Sequence, residues 1–89
     1  MANQIGVNMV SITGKITKPR YYPEKGKWVF TLISTTGRYF VECTQAEVEP
    51  LIAPGNQVMI TGSLFSRRTH DGYDSASISV REIVLLAQA

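Results

Sequence analysis

The sequence is poor in the residue types on which catalytic, secreted and membrane proteins depend. Its 89 residues include one cysteine and one histidine, so they allow no internal disulfide and no multi-cysteine metal site, and they leave little for catalysis. No basic segment followed by an apolar one opens the chain, and no apolar run approaches the roughly 20 residues of a membrane span. We therefore expect a cytoplasmic protein that is not an enzyme, is not embedded in a membrane and uses no metal or cofactor.

The chain has the size of one domain. With 44% hydrophobic side chains, residues 1–89 are too short for two cores and too apolar for a disordered chain. A domain this small buries only about 60% of the surface that its unfolded chain exposes. Because pairing with a second copy would bury more, we expect a homodimer or a homotetramer.

Positive charge is concentrated in one segment, although nine Lys and Arg against seven Asp and Glu give a net charge of only +2. A balance this small does not by itself indicate a polyanionic partner. Between residues 15 and 27, however, Glu24 stands alone against five cations, which are Lys15, Lys18, Arg20, Lys25 and Lys27. This distribution predicts one basic face.

Side chains alternate over five segments, which is typical of half-buried strands. The second segment, 27–34, carries apolar groups on both sides, so its pattern does not indicate which side faces the core. Between the third and fourth segments, Thr44 and Glu47 form a capping-box pattern that predicts a short helix over 44–53. Two polar segments, 17–26 and 67–75, predict long loops. The predicted strands are 7–16, 27–34, 38–43, 57–66 and 76–86. This order predicts an all-β fold with one short helix, the five-stranded Greek-key barrel called the OB-fold, with Gly14 and Gly62 where strands bend.

Short motifs follow one another along the chain in a consistent order and spacing. The first group is Asn8-x-Val10-x-Ile12-x-Gly14-Lys15-Ile16, Pro19, Tyr21-x-Pro23, Gly26 and Phe30-Thr31-Leu32. The second is Phe40-Val41-Glu42-Cys43, Ala46-Glu47, Leu51, Gly55-Asn56-x-Val58-x-Ile60-x-Gly62-Ser63-Leu64 and Val80-x-x-Ile83. Together they resemble the bacterial single-stranded DNA-binding proteins over residues 7–86. The resemblance implies nonspecific binding of single-stranded DNA on the nucleoid, in replication, replication restart, recombination or repair.

The sequence departs from that family in three places. The hairpin between the second and third strands is cut to residues 34–37, Thr69 stands where the family often has an aromatic residue, and no glycine-rich linker or acidic tip precedes Ala89. Short members, such as the small primosomal replication proteins or phage and mobile-element forms, are therefore equally similar. They imply replication or primosome proteins as further partners.

The first predicted loop combines cations with aromatic rings, as a protein that binds single strands requires. Its candidate binding residues are Lys18, Arg20, Tyr21, Tyr22, Lys25 and Lys27, with Lys15 just before them. The alternative is that one tyrosine covers the mouth of the barrel while the cations serve only solubility.

Further candidates lie on the strands and in the second loop. Phe40 shares a strand face with Arg38, so we predict that it points outward, unless it packs under the helix. The resemblance implies that it is a stacking residue. The pattern places Trp28 in the core more readily than in the site. Phe65 is either a stacking platform or part of a dimer surface. The second-loop candidates, Arg67, Arg68 and Tyr73, are offset by Asp71 and Asp74.

Two other functions fit the same features. An OB-fold can bind partner proteins through exposed apolar residues, here Val29, Ile33, Met59 and Phe65. It can also bind single-stranded RNA, because stacking and phosphate contacts do not distinguish the two sugars. The cationic segment favours a nucleic acid over a protein partner.

Overall fold

Five strands form a closed barrel in which the neighbours are β1-β2-β3-β5-β4. The computed structural model describes residues 8–44, 46–68, 72 and 74–89. The strands are β1 (Val10–Tyr22), β2 (Lys27–Ser34), β3 (Gly37–Cys43), β4 (Gln57–Arg68) and β5 (Asp74–Ala87). Neighbouring strands are antiparallel except for β3 and β5, which are parallel. The architecture confirms the predicted OB-fold.

The barrel closes because β1 pairs with two strands in turn. Its first half pairs with β4, from Val10 opposite Gly62 to Lys15 opposite Gln57. Its second half pairs with β2, starting at Lys15 opposite Ile33. Lys15 therefore lies where the two halves of the sheet meet.

The core confirms the predicted alternation on β3 and β5, and on β2 it contains Phe30 and Leu32. The side chains that fill the barrel include Ile16, Phe30, Leu32, Val41, Cys43, Val58, Ile60, Ile78, Val80 and Ile83. Cys43 is buried in the core. Leu64 is the exception on β4. Its register position opposite buried Ile78 faces inward, but its side chain is exposed.

The prediction of a loop over 17–26 is wrong for most of its length. β1 continues to Tyr22 and pairs with β2, and only residues 23–26 form the turn. The register shifts between Thr17 and Arg20, so Lys18 and Pro19 lie in a β-bulge. A bulge tolerates proline because its residues are released from the regular hydrogen-bond ladder. The second predicted loop is shortened in the same way, since β4 and β5 pair as far as Arg68 opposite Asp74.

The predicted short helix is a 3₁₀ helix, Ala46–Leu51, with Pro50 inside it. Proline has no backbone N–H to donate in either an α-helix or a 3₁₀ helix, so Pro50 limits this segment to a short helix. Val48 and Ile52 are buried against the barrel core. No helix among the described residues has the length and apolar character of a membrane span.

Two glycines, which the sequence predicts at bends of the strands, allow strands to approach closely. A Cβ atom on Gly14 would lie 2.6 Å from the carbonyl oxygen of Ile33. A Cβ atom on Gly62 would overlap the carbonyl oxygen of Ser79, beside the point where the β4–β5 register shifts. Any side chain at these positions would push the strands of the barrel apart.

Candidate functional site

The outward positions of β1, β2 and β3 form a continuous surface, which we call the β1–β2–β3 face. Register aligns the outward residues of the three strands in rows because paired positions point to the same side of a sheet. The rows are Lys15, Ile33 and Arg38; Thr17, Thr31 and Phe40; Arg20, Val29 and Glu42; and Tyr22 with Lys27. Four of these residues are cations, two on β1 and one each on β2 and β3, and two are aromatic.

A groove surrounds Phe40 on this face. It has a volume of about 340 Å³ and is lined by Thr17, Lys18, Thr31, Ile33, Arg38, Tyr39 and Phe40. Phe40 is 47% exposed, which confirms the predicted outward direction and excludes the alternative of packing under the helix. The groove thus combines an open aromatic face with cations from β1 and β3. A nucleobase could stack there while its phosphates approach the cations.

The bulge in β1 brings Lys18 to this groove. Lys18 has φ of 54°, in the left-handed region that residues other than glycine rarely adopt. A β-bulge changes the direction of a side chain relative to the regular strand. Lys18 lines the Phe40 groove beside Thr17, its neighbour on β1. Such backbone strain is found most often at functional sites.

A second groove lies around Tyr22, near the turn that joins β1 and β2. It has a volume of about 190 Å³ and is lined by Tyr22, Lys25, Lys27, Val29 and Glu42. The Lys27 ammonium forms an ion pair with the Glu42 carboxylate. Tyr22 is half-buried and Lys25 is exposed. This groove therefore contains three candidate residues from the first predicted loop, Tyr22, Lys25 and Lys27, together with the carboxylate of Glu42.

Tyr21 and Trp28 lie on the other side of the β1–β2 ribbon. They share a register row with buried Cys43, which places them on the inward side. Their ring centroids are 5.3 Å apart with an interplanar angle of 50°. Trp28 packs against the core, while Tyr21 remains 50% exposed. The structure therefore separates Tyr21 and Trp28 from Tyr22 and Phe40.

Phe65 extends the row of Phe40 beyond β3. Ser77 on β5 is paired with both Phe40 and Phe65, so the three residues lie in one outward row. Ser77 is buried and Phe65 is half-buried, which makes Phe65 less accessible than Phe40. The backbones of Arg67 and Arg68 continue β4 opposite Ser75 and Asp74. Tyr73 lies outside the described residues.

The described residues hold no group of three or more His, Cys, Asp or Glu side chains arranged to bind a metal ion.

The apolar residues predicted to contact a protein partner are less exposed than expected. Val29, Met59 and Phe65 are half-buried within the chain, and only Ile33 of the four is exposed. Ile33 itself lines the Phe40 groove.

Sequence reasoning missed the part that Glu42, Thr17 and Thr31 play in these grooves. Alternation does indicate that Glu42 shares a strand face with Arg38 and Phe40. The positions of Thr17 and Thr31 beside Phe40 depend on the register of three strands. No local pattern contains that information.

Solved structures share this barrel, whereas no protein-family model and no curated protein matches the sequence. A Plasmodium falciparum single-stranded DNA-binding protein, in complex with single-stranded DNA, has a TM-score of 0.70 at 15% identity, covering 96% of this chain and 99% of that one. Rim1, a mitochondrial single-stranded DNA-binding protein of S. cerevisiae, has a TM-score of 0.75 at 13% identity, covering 94% and 100%. A small single-stranded DNA-binding protein from Mycoplasma pneumoniae has a TM-score of 0.66 at 14% identity, covering 89% and 93%.

At these identities the comparisons establish the fold. Nearly the whole of each chain takes part in the superposition, so the likeness extends to the complete five-stranded barrel. The chain therefore has the OB-fold of proteins that bind single-stranded DNA. One fold serves many functions, so the function has to be argued from the β1–β2–β3 face.

Proposed function

We propose that the protein binds single-stranded DNA without sequence specificity, through the β1–β2–β3 face. The observation that carries the proposal is the Phe40 groove, in which a half-exposed ring and the cations Lys18 and Arg38 line the same cavity. OB-folds bind oligonucleotides on the face of strands 2 and 3 and at the neighbouring loops. The three similar structures named above are single-stranded DNA-binding proteins, which supports the same assignment.

The chemistry of the face fits a partner whose sequence is not read. Stacking accepts every base because every base has a π-face, and each stacked base contributes about 1 to 3 kcal/mol. Cations hold the phosphate backbone at any sequence. Replication, replication restart, recombination and repair all expose single strands, and we assign the protein to this group of cytoplasmic, nucleoid-associated processes.

Titration of a fluorescently labelled oligo-dT at two salt concentrations tests the proposal. We expect binding that weakens as salt rises, because phosphate contacts release counterions. A double-stranded oligonucleotide of the same length is the control, since paired bases cannot stack on Phe40. Absence of binding to oligo-dT at low salt would contradict the proposal and favour a protein partner.

Oligo-U of the same length distinguishes the two nucleic acids. The described part of the face offers stacking and charge, which both sugars allow. Weaker binding of oligo-U supports DNA as the partner. Equal or tighter binding would instead assign the face to single-stranded RNA.

We propose further that the protein self-associates, as a homodimer or a dimer of dimers. Exposed apolar side chains remain on the barrel away from the β1–β2–β3 face, including Val84 and Leu86 on β5. Pairing would bury them and align two binding faces, so that a longer strand is held with higher avidity. Sedimentation at micromolar concentrations measures the mass. A persistent species of 9.9 kDa, the mass of one chain, would contradict self-association.

A further inference from the structure

Glu42 is an acidic residue on a face whose other charged residues are cations. It lies in the row of Arg20 and Val29, and it is the one carboxylate among the described outward residues of the β1–β2–β3 face. A phosphate that approaches this row meets a negative charge among the cations. Glu42 is therefore the residue at which the face opposes its proposed ligand.

The carboxylate is held by Lys27. Register places Glu42 opposite Val29, two residues along β2 from Lys27, and this diagonal spacing is within reach of long side chains. The side chains of Lys27 and Glu42 are only 23% and 22% exposed. An ion pair with limited access to water is screened less by salt than a fully exposed one. Lys27 is thus occupied before any strand arrives.

The two grooves of the face consequently differ in charge. The Phe40 groove contains the cations Lys18 and Arg38, and its lining includes no acidic residue. The Tyr22 groove contains Lys25 and Lys27, but Glu42 offsets one of them. A phosphate at the Tyr22 groove must either displace Glu42 from Lys27 or remain beside an uncompensated carboxylate.

We propose that Glu42 competes with the phosphate backbone for Lys27 and so limits how tightly single strands are held at the Tyr22 groove. This inference rests on the proposed function, because it assigns a residue that tunes affinity within the same face. The strand is anchored at the Phe40 groove and held weakly at the Tyr22 groove. Such an arrangement keeps the second groove able to release part of the strand.

The test is Glu42→Gln, with Glu82→Gln as the matched control. Both changes remove one negative charge, but Glu82 is an exposed residue of β5 opposite Thr61, outside the β1–β2–β3 face. Glutamine keeps the shape of the side chain and releases Lys27 for phosphate. For oligo-dT we expect a several-fold lower Kd for E42Q at low salt, and a salt slope steeper by about 0.7, the value for one more phosphate contact. E82Q should bind like the unchanged protein.

Adding Lys27→Met to E42Q identifies the mechanism. If Glu42 acts by occupying Lys27, the double variant returns to the affinity and salt slope of the unchanged protein. A gain that persists without Lys27 would overturn the inference, because Glu42 would then act by general repulsion. Melting curves of all variants establish that each remains folded at the assay temperature.

The outcomes separate this inference from the proposed function. If the unchanged protein binds and E42Q matches E82Q, only the inference is overturned. If the unchanged protein does not bind but E42Q does, the inference is supported and the proposed function is not. If neither binds oligo-dT at low salt, both are overturned.

Discussion

The barrel has two outer faces that share one core but differ in chemistry. The β1–β2–β3 face carries cations on every strand, together with Phe40 and Tyr22. The β1–β4–β5 face, on the other side of β1, has the rows Ser11, Thr61 and Glu82, and Thr13, Met59 and Val84. The residues of these two rows are hydroxyl-bearing, apolar or acidic, and Arg81 is an exposed cation of β5 beside them. The inward residues behind both faces are mostly aliphatic, with Phe30 on β2 and Cys43 on β3 as exceptions.

This difference shows where function is encoded. Inward positions must fill the barrel, so packing determines their chemistry on every strand. Outward positions do not have to fill the barrel, so their chemistry is free to serve another purpose. Cations that served only solubility would be spread over both faces. Their concentration on one face, around an exposed aromatic ring, indicates an anionic partner with flat apolar groups. The predictions below test whether binding and stability divide between the faces in this way.

The largest expected effect is on stability and comes from Gly62→Ala. The new methyl group would overlap the carbonyl oxygen of Ser79, which belongs to backbone and cannot move aside. We expect a loss of about 3 kcal/mol in the free energy of unfolding, measured by urea denaturation. Ser63→Ala, one position along β4, is the control. At temperatures where Gly62→Ala is still folded, its affinity for oligo-dT should be unchanged. A loss of affinity in the folded variant would contradict the view that binding depends on the β1–β2–β3 face alone.

Phe40→Ala should show the opposite behaviour. Removing the ring takes away a stacking surface, so we expect oligo-dT binding to weaken by about 1 to 3 kcal/mol. Because Phe40 is 47% exposed, the melting temperature should change little. Val84→Ala, which shortens a 38% exposed apolar side chain of the β1–β4–β5 face, should leave unchanged the affinity for an oligo-dT that is too short to span two binding faces. A lower melting temperature with unchanged affinity would make Phe40 a structural residue.

The sequence predicts most of the barrel because alternation is a local signal. The burial of Val41 and Cys43 and the exposure of Phe40 follow from the period of two along β3. The positions of Gly14 and Gly62 follow from the need for close approach. These features require no knowledge of which strands are neighbours.

The features that the sequence did not predict depend on pairing between distant segments. Lys18 and Pro19 have the composition of a loop, yet pairing with β2 accommodates them in a bulge. The capping-box pattern after Thr44 predicted an α-helix, but Pro50 and the short segment leave room only for a 3₁₀ helix. The ion pair between Lys27 and Glu42 requires the β2–β3 register. Each outcome is decided by tertiary structure, which composition does not contain.

Tyr22→Ala tests the Tyr22 groove, which we expect to bind single strands more weakly than the Phe40 groove. Tyr22 is half-buried and lies beside Lys25 and the Lys27–Glu42 ion pair, so less of its ring is available to a base than that of Phe40. We expect a loss of about 1 kcal/mol in oligo-dT binding, the lower end of the stacking range. Fluorescence anisotropy of labelled oligo-dT measures it. A loss larger than that of Phe40→Ala would reverse the order of the two grooves.

The smallest expected effect is a change in salt dependence caused by Arg38→Gln. Arg38 lines the Phe40 groove, and removing its charge should eliminate about one phosphate contact, which lowers the slope of log Kd against log salt by about 0.7. Arg81→Gln removes the same charge from an exposed position on β5, where the Arg81 guanidinium lies 3.5 Å from the sulfur of Met9. If binding depends on the net charge of the protein, both variants will shift the slope equally. If binding depends instead on contacts within the β1–β2–β3 face, only Arg38→Gln will shift the slope. A salt slope counts the phosphates that the protein neutralises, so a cation outside the binding face does not affect it.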